Sequence, residues 1–178
     1  LTAGRQNPDS ALFPYYSSDK IADTAAHTGP KTLLRVLQDN HWVLWEPFST
    51  APIRDGGRSQ NLYKNSFGNR ILFEEIHHSL GIAFRYVWTS GHHFGFIRRC
   101  ELVNLNDGAV QVEVTDGLQN LLPADLGKDF QLRYSNLADA YKKSELLSDA
   151  GLGLYYLSSI PTDRAEPSEG LRATVAWQ

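Results

Sequence analysis

The sequence predicts a mainly β protein, an antiparallel β-sandwich, on three observations. The first is alternation. Ile82, Phe84, Tyr86 and Trp88 recur at every second position, and Val110, Val112 and Val114 alternate with Gln111 and Glu113. Successive side chains on a strand point to opposite faces, so this pattern describes strands buried on one side. The second is turn chemistry. Asp39-Asn40, Gly68-Asn69 and Asp107-Gly108 fall between the patterned runs at hairpin spacing. The third is the run length: nine or so short strand-like segments accompany a single segment of helical composition, which fits a sandwich rather than a layered α/β fold.

Composition narrows the class further. A chain of 178 residues with 42% hydrophobic and 11% aromatic side chains has enough apolar material for a sizeable core and too much for a disordered one. A net charge of −3 without any lysine-arginine block argues against a nucleic-acid partner. No apolar run approaches the ~20 residues of a membrane-spanning helix, so no membrane partner is expected. The lone Cys100 excludes an intramolecular disulfide framework and reads as a small buried strand residue; it fits a reducing compartment, with a cytoplasmic location the expectation. The chain starts at Leu1, contains no methionine and closes on an apparent strand, so it is expected to be a fragment of a longer chain.

Residues 1–30, rich in Gly, Pro, Ser, Asp and Asn, read as an irregular leader before a single sandwich domain over 31–178. Residues 31–46 form a hairpin, with strands at 32–37 and 41–46 and Gln38-Asp39-Asn40 as the turn. In its second strand Trp42 and Leu44 share one face while Val43 and Trp45 share the other, so this strand is expected to be covered on both sides. Residues 47–59 are a Pro- and Gly-containing loop. Two strands follow at 61–65 and 70–78, and then the three-strand stretch 81–122. Residues 123–128 are a loop. Residues 136–147, NLADAYKKSELL, predict a helix, with Leu137 and Tyr141 at i, i+4. The last strands are expected at 152–158 and 171–177.

Several residue groups invite a chemical reading. His77-His78 and His92-His93 lie near Glu74, Glu75 and Glu101, but adjacent strand residues face opposite sides, so one ion cannot readily take both members of a pair. No metal and no cofactor are therefore expected. Sugar-ring opening would need a histidine acid and a carboxylate base, for which His92 or His93 with Glu101 or Glu113 are the candidates. Asp163, Glu166 and Glu169 cluster with Arg164 on the connection before the last strand. Arg98 and Arg99 are neighbours on a strand, so one of them faces inward. That one needs a carboxylate, with Glu101 or Glu113 the expected supplier, because an unpaired buried charge is expensive.

Two strings carry a resemblance. Leu102-Val103-Asn104-Leu105-Asn106, followed by Val112-Glu113-Val114-Thr115-Asp116-Gly117-Leu118 and on to Leu122, resembles a strand and N-x-(S/N) turn, then a second strand, in the N-terminal β-sandwich of cellobiose-phosphorylase-like disaccharide phosphorylases. That sandwich is of the galactose-mutarotase-like supersandwich type and precedes a catalytic (α/α)-barrel. The resemblance implies another strand in the region of 137–147, in competition with the helix read from composition. It carries over no catalytic residue, since the family's catalytic acid lies in the barrel. It implies a non-catalytic domain of a glycoside phosphorylase- or hydrolase-like enzyme that packs on the barrel of the same chain, frames its sugar site, or builds a homodimer. Carbohydrate contacts would fall to His92, His93, Asp163, Arg164 and Glu166. Two alternatives stand beside this. A free-standing carbohydrate-binding module would draw on Tyr15, Tyr16, Trp42, Trp45 and Trp88. A mutarotase-like sugar epimerase would use the His92-His93 region.

Overall fold

A computed structural model describes residues 12–13, 25–50, 57–91, 95–124, 126–158 and 173–177. The protein is mainly β, with three antiparallel sheets and two short α-helices among these residues. Contacts divide the chain into two compact units, Lys31–Gly117 and Leu1–Pro30 with Leu118–Gln178.

The unit Lys31–Gly117 is a two-layer sandwich. Its first sheet has the order β2-β1-β7, from β1 (Gly29–Gln38), β2 (His41–Trp45) and β7 (Val112–Gln119). Its second has the order β3-β4-β5-β6, from β3 (Arg58–Lys64), β4 (Ile71–His77), β5 (Ile82–Gly91) and β6 (Gly95–Asn104). The β1–β2 hairpin turns at Asp39 and Asn40, both at positive φ (47° and 64°). That is the conformation a two-residue hairpin matching the right-handed strand twist requires. The layers meet through Leu34 and Val36 of β1, Trp45 of β2, and Ile82 and Phe84 of β5, with Leu80 beside them. Phe48, Tyr86, Val110 and Val112 pack against this cluster. Burying a side chain of this size contributes about 1.5–3 kcal/mol, so this alternating set is the main source of the sandwich's cohesion.

Three expectations are corrected here. The strand 41–46 is not covered on both sides: Trp45 is buried and Val43 packs on the core, whereas Leu44 is 66% exposed and Trp42 lies at the surface under the Arg35 guanidinium, 4.8 Å from the ring centroid. Cys100 is exposed rather than buried. The third strand of the central stretch starts at Val112, two residues after the valine alternation begins, and runs on to Gln119.

The second unit holds a sheet of order β10-β9-β8, from β8 (Lys142–Leu147), β9 (Leu152–Leu157) and β10 (Thr174–Trp177). Two short helices precede it, α1 (Lys128–Arg133) and α2 (Ser135–Tyr141). Leu122, Leu126 and Ala138 form its buried cluster, with Phe130 and Leu157 against them. The helix expected over 136–147 is therefore half helix and half strand. It stops at Tyr141, whose carbonyl accepts from both the backbone N–H (2.9 Å) and the hydroxyl (3.1 Å) of Ser158. From Lys142 the chain pairs with β9 in a register that sets Lys142 opposite Leu157 and Leu147 opposite Leu152. Pairing overrides the helical propensity of Lys142, Lys143, Glu145 and the two leucines.

Candidate functional site

Five residues were expected to contact carbohydrate: His92, His93, Asp163, Arg164 and Glu166. All five lie outside the described residues, as do Tyr15 and Tyr16. The nearest described positions to the histidines are Gly91 and Gly95, which pair in register at the end of the β5–β6 ladder. The carboxylates once set beside those histidines have other partners. Glu113 accepts from Arg35 Nη1 at 2.6 Å, and Glu101 pairs with Arg85 Nη1 at 3.5 Å. Trp45, offered as a sugar-stacking surface, is buried in the core.

The polar chemistry the structure does assemble centres on β4, where Glu74 and Glu75 stand back to back. Strand alternation sends them to opposite faces. Glu75 enters the sandwich and is wholly buried. Its Oε1 accepts from Trp45 Nε1 (2.9 Å) and Arg58 Nη1 (3.3 Å), and its Oε2 from Gln60 Nε2 (2.6 Å) and the Phe48 backbone N–H (2.8 Å). An ionised carboxylate has about four lone-pair sites, and all of them are occupied. Phe48 sits at φ +63°, a region a bulky residue rarely adopts, and its bond to Glu75 helps hold it there.

Glu74 belongs to the other face of the same sheet. Cross-strand register places Asn61, Glu74, Arg85 and Glu101 in one row across β3, β4, β5 and β6. Glu74 accepts from Asn61 Nδ2 (2.9 Å), Tyr63 OH (2.9 Å) and Arg85 Nε (2.5 Å). Burial alone would raise its pKa; the hydrogen bonds from Asn61, Arg85 and Tyr63 outweigh that and hold the carboxyl below the ordinary value. The same bond to Glu74 pushes the Tyr63 phenol upward.

A third knot joins the two sheets. Arg98 faces inward and donates from Nη1 to Asp116 Oδ2 (2.5 Å) and from Nη2 to Thr32 Oγ1 (3.0 Å), while its guanidinium lies 5.2 Å from the Tyr86 ring centroid. Thr32 in turn donates to Asp116 Oδ1 at 2.5 Å. An inward arginine does need a carboxylate, but the supplier is Asp116 of β7, not Glu101 or Glu113. The Cys100 Sγ also donates to Asp116 Oδ2, at 3.7 Å. Cys100 is exposed as a residue, but the partial enclosure of its sulfur, with the charge and hydrogen bond of Asp116, outweighs the influence of Arg98 and pushes the thiol up to about 11.

The adjacent histidines separate as alternation requires. His77 is buried edge-on against Trp45, with ring centroids 5.4 Å apart, and burial lowers its pKa. His78 contacts the Ser59 hydroxyl through Nε2 at 2.7 Å. Among the described residues no three His, Cys, Asp or Glu side chains gather as a metal site would require. The sequence reading missed Thr32, Asp116 and the cradles of Glu74 and Glu75. One signal pointed to the last of these: two acids inside the apolar strand Ile71–His77 must find partners.

The resemblance motif also has a structural role. Asn106 N donates to Asn104 Oδ1 (3.0 Å), Asn104 Nδ2 to the Gly108 carbonyl (2.7 Å), and Asn106 Nδ2 to the carbonyls of Leu80 (3.0 Å) and Gly81 (3.1 Å). Asn104-Leu105-Asn106 thus ties the end of β6 to the β4–β5 turn. No protein-family model matches the chain, and no curated protein matches it in sequence. Fold and site together define a mainly β protein whose central unit is a sandwich stitched by internal ion pairs.

Proposed function

We propose that this chain is a non-catalytic β-sandwich domain of a larger carbohydrate-active enzyme, glycoside phosphorylase- or hydrolase-like, which packs on a catalytic helical barrel of the same chain and frames its sugar site. The family and its supersandwich type rest on the strings 102–106 and 112–122. The observation that carries the non-catalytic reading is the saturation of two buried acids and one half-buried one. Glu74, Glu75 and Asp116 each accept at least three hydrogen bonds from within their own unit. A general acid or base needs a lone pair or proton directed at substrate, and these carboxylates spend theirs on the fold.

An exposed apolar row on the second unit's sheet supports the packing part of this reading. In the sheet β10-β9-β8, register puts Leu147, Leu152 and Trp177 in one row and Glu145, Leu154 and Val175 in the next. Of these, Leu147, Val175 and Trp177 are each more than two-fifths exposed. An apolar sheet face of this kind suits burial against protein more than contact with a soluble sugar. The test is an assay of the purified 178-residue chain for phosphorolysis and hydrolysis across a panel of disaccharides. No turnover is expected, and turnover by the chain alone overturns the reading.

A further inference from the structure

Strand β6 closes its sheet as a long edge. It runs for ten residues, Gly95–Asn104, about twice the usual strand length, and among the described residues it pairs with β5 only. Its outward-facing backbone groups from Ile97 to Val103 have no partner among the described residues. Natural edges are blunted by proline, by charged side chains (lysine above all), by inward-pointing charges, by bulges or by a covering loop. This one has no proline and no lysine, its inward charge Arg98 is paired with Asp116, and Ile97, Arg99, Cys100, Glu101 and Leu102 are exposed along it, with Arg99 and Glu101 of opposite sign.

We infer that β6 pairs antiparallel with β6 of a second copy of this chain, about a two-fold axis through Cys100. In that register Arg99 stands opposite the second copy's Glu101 and Glu101 opposite its Arg99, Ile97 and Val103 face each other twice, and Cys100 faces Cys100. The two-fold keeps each sheet face continuous. Arg99 and Glu101 share the face of Glu74 and Arg85, so each Glu101, already 3.5 Å from Arg85, would lie between two guanidiniums. The neighbouring two-fold registers fail on charge. One sets Arg99 against Arg99 on the axis, and the other sets Glu101 against Glu101. A one-residue slip would reverse the faces. The self-complementary order Arg-Cys-Glu therefore selects the partner and fixes the register. This inference stands independently of any carbohydrate role.

Light scattering coupled to size exclusion on the 178-residue chain tests it, with sedimentation to give the dissociation constant. A dimer is expected. Arg99→Glu sets two like-charge pairs opposite each other and should weaken the dimer by about tenfold or more. Arg99→Glu with Glu101→Arg restores opposite charges and should recover most of that loss; circular dichroism of each variant reports whether it folds. Residues opposite in an antiparallel pair lie about 4.5–5.5 Å apart at Cα, within the span of a disulfide. Copper-phenanthroline, taking two electrons from two thiols, should therefore crosslink the unmutated dimer through Cys100 in a bond that dithiothreitol reverses. A monomer at every concentration overturns the proposal. So does a dimer that Arg99→Glu leaves unchanged, or one that forms no Cys100 crosslink.

Discussion

Replacing Glu75 by alanine removes the acceptor that four donors share. The variant strands Trp45 Nε1 and the Phe48 N–H inside the sandwich, and leaves the Arg58 guanidinium and the Gln60 amide without this carboxylate. Breaking a buried pair by deleting one partner costs about 3–5 kcal/mol, because the remaining groups stay desolvated. Phe48 also loses a bond that holds its φ of +63°. In a chain of 178 residues each kcal/mol moves the melting temperature by roughly 2–4 °C, so a fall of about 6–20 °C is expected. Glu75→Gln keeps the volume but turns an amide NH2 toward at least one donor, and should cost about 1–3 kcal/mol. Urea unfolding followed by near-ultraviolet circular dichroism measures both. A Glu75→Ala variant within about 1 kcal/mol of the parent refutes the view that this carboxylate organises the sandwich.

Three further predictions follow from single sites. Gly81 sits at φ +62°, and a Cβ there would lie 2.2 Å from Asn106 Oδ1, so Gly81→Ala should cost about 2 kcal/mol or more by strain and by displacing the asparagine lock; an unfolding midpoint equal to the parent's counts against that lock. Acid should weaken the sandwich in two stages. His77 has a folded pKa below 6.5 and Glu74 one below 4.5, so each contribution is complete above that ordinary value and is lost as pH falls below it. His77→Phe should flatten the first stage and Glu74→Gln the second, and a urea midpoint constant through both windows contradicts both assignments. Alkylation of Cys100 by iodoacetamide should rise with pH toward about 11, and Asp116→Asn should move that rise to lower pH; a midpoint near that of an ordinary thiol refutes the enclosure of the sulfur, and one that Asp116→Asn leaves in place refutes the Asp116 contact.

The strands were legible where one face alone is buried. Ile82 and Phe84 alternate because β5 turns one side to the core, and Asp39-Asn40 marks its turn because only a few residues accept positive φ twice in succession. Strand β8 was not legible as a strand. Its six residues carry no alternation of their own, and their conformation comes from pairing with β9. The turn Ser148-Asp149-Ala150-Gly151, with Gly151 at φ +64°, was the available sign that a strand must precede it. The partner of Arg98 was illegible for a related reason. Asp116 lies on a strand of the opposite sheet, and nothing local in the sequence sets the two together. The exposure of Leu44 and Cys100 was likewise decided by which strands lie at edges, which alternation alone does not encode.

The proposal of a non-catalytic domain packed on a barrel is tested most directly by reading the transcript beyond the codon for Gln178. The account predicts an open frame that continues into successive amphipathic helices of a barrel. A stop codon directly after Gln178 would contradict it.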